Sequence, residues 1–323
     1  MSTKQTVLVT GAAGFIGSHL CEALLARGDS VVGIDNFDPF YDRSLKDANL
    51  DHIRAAGDGF AFAELELNDA EPLADLLAEH KPETIVHLAA KAGVRPSIED
   101  PPGYARANVS ATATLMDAAR AAGAKRLVIA SSSSVYGNNE KTPFSEDDPV
   151  EHPISPYAAT KRSCELIAHT HHHLTGMPVA MLRFFTVFGP RQRPDLAINK
   201  FMRLVAAGKP ITMFGDGSTS RDYTFIDDIV RGILAAMARV DDHGYRIWNL
   251  GGDHPMRLDE LIAAIGETVG KDPIIDQQPM QPGDVDRTWA DLTRAKAELG
   301  YECRTPIRDG LAAQWGWLSG RLG

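Results

Sequence analysis

Cysteine is scarce. Cys21, Cys164 and Cys303 are the only three in 323 residues. They lie far apart, form no C-x-x-C pair and are odd in number, so a disulfide framework is not the organising principle. Free thiols in a reducing cytosol are the reading that follows. Long apolar runs are missing too: none approaches the ~20 residues a membrane helix needs, and no membrane partner is expected. Residues 1–4 are polar and strand-like sequence begins at once, which leaves no room for a signal peptide. There is no basic excess, since the formal net charge is -10, and nucleic acid is not an expected partner. An acidic chain that binds a phosphorylated ligand must do so with a few placed donors. Internal repeats and low-complexity linkers are absent. What remains is ordinary for a globular chain, 44% hydrophobic and 24% charged, with length for about two domains.

Short, nearly continuous apolar runs alternate with helical patterns. Residues 6–10, 30–35, 60–67, 84–89 and 126–132 read as strands buried on both faces. Helices are expected near 15–27, 43–56, 70–80, 104–122 and 155–174, with a further strand over 179–186. Such alternation implies parallel βαβ units with right-handed crossovers. After Gly189 the pattern changes: Pro190, Arg191, Arg193 and Pro194 interrupt it, a helix follows over roughly 195–207, and helices and short strands then mix. The fold class is therefore α/β, a Rossmann-like doubly wound parallel sheet with a smaller C-terminal α/β substrate-binding lobe.

Gly11, Gly14 and Gly17 follow the first strand and open the first helix. One glycine serves a tight turn, one a close backbone approach to a pyrophosphate, one helix–strand packing. The helix start, with Phe15 and Ile16, then offers N–H groups and a positive dipole end to phosphates. Asp35 ends the second strand, with Asn36 beside it. A carboxylate there accepts from both ribose hydroxyls and repels a 2′-phosphate, which favours NAD as cofactor over NADP. Glu66 and Leu67 are expected to end the third strand and flank the adenine. Ala89, Ala90 and Lys91 are expected at the end of the fourth, on the ligand side.

Ser131–Ser134 ends the fifth strand, and Tyr157-Ala-Ala-Thr-Lys161 follows on a helix. Positions i and i+4 share one helix face, about 6 Å apart in rise. An ammonium near a phenol favours the phenolate, help that a base with an ordinary pKa of about 10 requires at neutral pH. A Tyr-x-x-x-Lys pair is common by chance, but here it follows a dinucleotide fingerprint and a serine-rich strand end. On the glycine motif, Ser132, Tyr157, Lys161, Arg221-Asp222-Tyr223 and Gln281-Pro-Gly-Asp284, the chain resembles the extended short-chain dehydrogenase/reductases of the nucleotide-sugar epimerase and dehydratase group. The resemblance covers nearly the whole chain. It implies an NAD-binding domain over 1–189 with a return segment near 223–250, and a nucleotide-sugar-binding lobe mainly over 190–323. It also implies Tyr157 as acid/base at the sugar hydroxyl, Lys161 on the nicotinamide ribose and Ser132 sharing the hydroxyl proton.

Dehydratases of that group carry an Asp-Glu pair directly after the Ser/Thr, and decarboxylases a Glu two residues after it. Ser133 and Ser134 stand here, which leaves epimerisation. The segment from Arg183 to Ala197 is similar to enzymes that interconvert UDP-glucuronate and UDP-galacturonate. That similarity assigns Thr186, Arg193, Ser133 and Ser134 to the sugar carboxylate, Arg221 to the diphosphate and Asp284 to the nucleotide ribose, with Arg95 a weaker candidate for the same pocket. The stretches Asp35–Asp42 and His87–Arg95 are similar to the same subgroup. Lys91 departs from its usual glutamine and Glu66 from a commoner aspartate. The bland alternatives are a pair between Arg193 and Asp195, and surface salt bridges for Arg221 and Asp284. Other functions stay open: an epimerase of neutral UDP-glucose and UDP-galactose, a dehydratase or decarboxylase, or a non-enzymatic NAD sensor, though sensors of this fold generally lack the Tyr–Lys pair. Small residues on helices 104–122 and 155–174 imply, by analogy with relatives, a homodimer. His169, His171, His172 and His173 lie late in a helix without an H-E-x-x-H carboxylate, so no metal is expected. Trp289, Trp315 and Trp317 read as packing.

Overall fold

The computed structural model describes residues 4–279 and 285–322. Two compact units make up the chain. The first takes in the chain up to Gly137, Pro149–Arg183 and Val230–Trp248. The second takes in Asn138–Asp148, Phe184–Ile229 and the chain from Asn249.

The first unit is built on β1 (Thr6–Thr10), β2 (Ser30–Asp35), β3 (Phe60–Glu64), β4 (Thr84–His87), β5 (Arg126–Ser132), β6 (Val179–Phe184) and a last strand, Tyr245–Leu250. The seven form one sheet in the order Tyr245–Leu250, β6, β5, β4, β1, β2, β3. β1 runs parallel to both β2 and β4, with Thr10 between Ile34 and His87. The order reverses direction between β1 and β4, the switch point where such sheets bind ligands at their carboxyl ends. Both faces are covered by helices: α1 (Phe15–Ala26), α2 (Arg43–Ala56), α3 (Ala70–His80), α4 (Val94–Glu99), α5 (Pro101–Tyr104), α6 (Ala111–Ala121) and α7 (Pro156–Thr175). The core between sheet and helices joins Leu8, Ile34, Ile85, Leu127 and Met181 to Leu73, Leu77, Leu115 and Met116. This is the doubly wound architecture read from the alternation of short strands and helices.

Several boundaries differ from the sequence reading. β3 stops at Glu64 because the chain turns after it: Asp69 N–H donates to Glu66 O at 3.0 Å and Asn68 N–H to the Glu66 carboxylate at 3.2 Å. Glu66 and Leu67 therefore sit in a turn beyond the strand. β4 stops at His87 because the Ala89 N–H is taken by the Thr10 hydroxyl at 3.2 Å. Residues 94–103, left without an element, contain α4 and all of α5 but Tyr104. Their prolines fall in first helical turns, where the N–H they lack has no partner anyway, and Asp100 caps α5 through Gly103 N–H at 3.0 Å. A π-helical stretch, Ala105–Ser110, precedes α6, so the expected helix 104–122 is three pieces. The expected strand 179–186 breaks at Phe185, whose N–H donates to Leu250 O at 3.0 Å.

In the second unit, Thr186–Phe188 pairs in parallel with Ser220–Phe225, which pairs antiparallel with Pro255–Arg257. The helix expected over 195–207 runs Ala197–Ala206. Among the described residues, no helix is long and apolar enough to cross a membrane, and no group of three His, Cys, Asp or Glu is placed to hold a metal ion.

Candidate active site

The glycine loop leaves β1 with Gly11 at φ +70°, a region that suits glycine. A Cβ at Gly11 would lie 2.9 Å from Ala89 N, and one at Gly17 would lie 2.1 Å from Gly11 O. Only bare backbone fits. Gly14 N–H donates to Gly11 O at 3.0 Å, and Gly14 precedes α1 in an extended conformation with no side-chain cap. Phe15 is buried and Ile16 half-buried at the start of the helix. Uncapped N–H groups at a helix start, approached by backbone stripped of side chains, suit a dinucleotide's pyrophosphate.

Asp35 stands one strand over. Its Oδ1 accepts Phe37 N–H at 2.9 Å and the Lys46 ammonium at 3.2 Å. Asn36 is exposed and donates to Glu66 Oε2 at 2.7 Å. Burial alone would raise the Glu66 carboxyl, but hydrogen bonds from Asn36 and Asn68 outweigh it and hold the group below its ordinary value. Leu67 is buried beside it. On the other side of β1, Ala89 and Ala90 are half-buried. Lys91 pairs with Asp100 at 3.2 Å and reaches Asp38 at 3.9 Å. Arg95 is exposed on α4.

Beneath this floor runs a chain of hydrogen bonds that composition and motifs did not reveal. Thr112 Oγ1 gives its proton to Asn108 O at 2.5 Å, so toward His87 Nε2, 3.0 Å away, it can only accept. The neutral imidazole therefore carries its proton on Nε2, and Nδ1 accepts from Thr10 Oγ1 at 2.7 Å. Asn108 continues the chain, donating to Lys91 O and to Thr160 Oγ1, each at 3.0 Å. Thr160 in turn donates to Tyr157 O at 2.7 Å. Burial, helped by the charge of Lys161, pushes His87 down to about 3. Because this lies below the unfolded value of 6.5, the unfolded chain takes up the proton first. Stability is full above pH 6.5 and falls as pH drops toward 3. At pH 5 the loss is about 2 kcal/mol. We expect denaturant titrations of wild type and His87→Gln to converge by that amount between pH 7.5 and 5. Parallel curves would contradict the neutral buried ring.

Ser132 ends β5 and caps the 3-10 turn Ser133–Tyr136, accepting Ser134 N–H at 3.2 Å while its own hydroxyl donates to Ser134 Oγ at 3.2 Å. The turn holds Ser133 and Ser134 half-buried. Helix α7 carries Tyr157 and Lys161 on one face. The Lys161 ammonium is held by Ala130 O at 2.8 Å, and the Tyr157 ring meets the edge of Tyr104 at 6.3 Å. One turn further, Glu165 points inward. It takes Arg183 Nε and Nη2 at 2.8 and 2.9 Å, Ser131 Oγ at 2.7 Å and Arg162 Nη1 at 3.0 Å. Burial would raise this carboxyl, but Arg183 above all holds it below its ordinary value. Tyr136 lies under the Arg183 guanidinium at 4.8 Å. Motif reading missed this cluster, although two signals were present. Glu165 repeats the i, i+4 spacing of Tyr157 and Lys161, and Arg183 interrupts an apolar strand.

In the second unit, Thr186 sits opposite Tyr223, two residues along the strand from Arg221. Arg221 Nη1 donates to Ser220 O at 2.9 Å. Arg193 makes a bidentate pair with Asp195 at 2.9 and 2.7 Å, the bland alternative raised by the sequence. Asp222 is wholly buried. Backbone N–H groups of Ala290 and Gly252 reach its carboxylate, yet burial dominates and raises it to about 6. Asp284 and the motif Gln281-Pro-Gly-Asp284 lie outside the described residues.

Comparison with known proteins gives this arrangement its class. Residues 8–314 match the family described as GDP-mannose 4,6 dehydratase, and the chain belongs to that family of extended short-chain dehydrogenase/reductases. The UDP-glucuronate 4-epimerase of Thermodesulfobacterium geofontis is 39% identical over 311 residues, 96% of this chain and 95% of its own. The crystal structure of UDP-glucuronic acid 4-epimerase from Bacillus cereus, in complex with UDP-glucuronic acid and NAD, superposes with a TM-score of 0.92 at 36% identity, covering 98% of this chain and 99% of the other. The UDP-glucose 4-epimerase of Thermotoga maritima, solved with UDP-glucose, gives a TM-score of 0.90 at 31% identity, covering 98% and 100%.

Proposed function

We propose that this protein is an NAD-dependent C4 epimerase of a UDP-hexuronate, interconverting UDP-glucuronate and UDP-galacturonate through a transient 4-keto sugar. The observation that carries the reading is the serine turn after β5. Ser132 is present with Tyr157 and Lys161, while the next two positions, Ser133 and Ser134, offer no carboxylate for dehydration. The relatives named for UDP-glucuronate support the choice of sugar.

In this reading the backbone of Gly11, Gly14, Phe15, Ile16 and Gly17 would hold the NAD pyrophosphate. Asp35, Asn36, Glu66 and Leu67 would hold its adenosine, and Ala89, Ala90 and Lys91 would line the rest of the site. Bound NAD supplies a hydride acceptor and donor at the nicotinamide. Tyr157 takes the O4 proton as C4 is oxidised and returns it after the ring has turned its other face. Ser132 shares that proton through its hydroxyl. Lys161, on the same helix face, supports the phenolate and the nicotinamide ribose. A 4-keto uronate is a β-keto acid, prone to lose CO₂. Charge-assisted hydrogen bonds from Arg193, with Thr186, Ser133 and Ser134, would pin the carboxylate and oppose that loss. Arg221 and Asp284 are assigned to the nucleotide, with Arg95 a weaker candidate.

The second reading, a UDP-glucose/UDP-galactose epimerase, is favoured by the Arg193–Asp195 pair, because an arginine already holding a carboxylate is a poorer receptor for another. Proton NMR of the sugar separates the two. We expect UDP-glucuronate to give UDP-galacturonate without added NAD. We expect Arg193→Leu to lower kcat/KM for the uronate by about 10- to 100-fold, the worth of one charge-assisted bond. Turnover of the neutral sugar alone would overturn the uronate assignment. A homodimer through α6 and α7, where Leu166 and Leu174 are exposed, and a cytoplasmic location consistent with three free cysteines are further parts of the proposal.

A further inference from the structure

Lys46 is a buried cation, and the epimerase chemistry makes no use of it. It stands on the buried face of α2. Its side chain is 7% exposed and that of Asp35 is 6%. The ammonium lies 3.2 Å from Asp35 Oδ1 and 3.3 Å from Asp38 O, with the Tyr41 ring 5.2 Å away. Arg43, one turn earlier, stacks on the Phe37 ring at 3.8 Å, but Glu64 engages it in a bidentate pair at 3.0 and 2.8 Å. The strand end assigned to the adenosine ribose thus holds a carboxylate and two cations, each cation matched to an acid.

We propose that Lys46 is the second determinant of cofactor choice: Asp35 holds it in check, and without the Asp35 carboxylate Lys46 makes the ribose subsite a receptor for a 2′-phosphate. The proposal rests on the reading of this groove as an NAD site. In the native protein Oδ1 of Asp35 is occupied by Phe37 N–H and Lys46. Lys46 and the Phe37 N–H thus hold the carboxylate through the same oxygen. If the ribose binds at this strand end, the Asp35 carboxylate opposes a 2′-phosphate with like charge, and Lys46 is the cation that balances that carboxylate. Remove the carboxylate and the balance inverts. Lys46 becomes an uncompensated buried cation, a costly state that a phosphate oxygen relieves. Arg43 does not take this role while Glu64 engages it. Rejection of NADP then depends on one acid, and capacity for NADP on one lysine beneath it.

The test uses the full-length protein and reads bound nucleotide, not turnover. Each variant is incubated with equal NAD and NADP and desalted, and the retained dinucleotide is released by acid and quantified. Wild type should retain NAD. Asp35→Ser should shift the NADP-to-NAD ratio toward NADP by about 100-fold, and adding Lys46→Met should reverse at least about tenfold of that shift, the scale of a charge-assisted hydrogen bond. Lys46→Arg in the Asp35→Ser background should keep the shift, which separates loss of charge from loss of fold. Equal NADP retention by Asp35→Ser with and without Lys46→Met would overturn the proposal. If the Met variant fails to fold, Lys46→Gln gives the same comparison. Wild type that retains neither nucleotide would overturn the NAD reading and the proposal with it, whereas NAD retention with no Lys46 dependence overturns the proposal alone.

Discussion

Replacing Tyr157 with phenylalanine should lower kcat by roughly three orders of magnitude, the scale of a lost general acid–base group, and leave the fold intact. The ring of Tyr157 makes an edge contact with Tyr104 at 6.3 Å, and phenylalanine keeps that contact. The Thr160 hydroxyl bonds the backbone carbonyl of residue 157, which the substitution does not touch. Only the phenolic oxygen is lost, and with it the group proposed to take and return the O4 proton. Turnover followed by NMR, NAD released by acid and a thermal melt separate the outcomes. Activity should fall while NAD and the melting temperature hold. A loss of less than tenfold would remove Tyr157 from the acid–base role.

Replacing Glu165 with alanine should cost about 3–5 kcal/mol of stability, because it strands a buried charge. Arg183 is 1% exposed and Glu165 fully buried. Without the carboxylate, two guanidinium N–H groups and the Ser131 hydroxyl lose their acceptor together. A melting temperature lower by on the order of 10 °C follows for a domain of this size. Removing both charges, as Glu165→Leu with Arg183→Met, should recover most of the loss, since an apolar pair of similar volume is often neutral. A Glu165→Ala protein as stable as wild type would show that water or another group satisfies Arg183. The folded-state pKa of Glu165 lies below its unfolded value. Its contribution is therefore present above about pH 4.5 and lost as pH falls further.

Much of the first unit was legible because its signals are local. Glycines at 11 and 17 are demanded by backbone contacts under 3 Å, and apolar runs of strand length match six of the sheet's seven strands. What escaped notice depends on partners distant in sequence. Nothing near His87 announces Thr10 and Thr112 on either side of its ring, and nothing near Lys46 announces Asp35. Strand ends were overrun at Leu67 and Ala89 because apolar content continues after the ladder has ended. There side-chain and turn hydrogen bonds decide, and hydropathy does not. The π-helical stretch at Ala105–Ser110 has no compositional signature at all. In the second unit, resemblance names Arg193 for the sugar carboxylate, and the structure pairs its guanidinium with Asp195, the alternative that the sequence also raised.

Inversion of C4 by oxidation and re-reduction on one enzyme-held cofactor leaves an isotopic signature, and UDP-glucuronate carrying deuterium at C4 reads it. The product should be UDP-galacturonate of unchanged mass, with the deuterium still on C4 and the configuration there inverted. Loss of deuterium to solvent, or a pentose product lighter by CO₂, would contradict it.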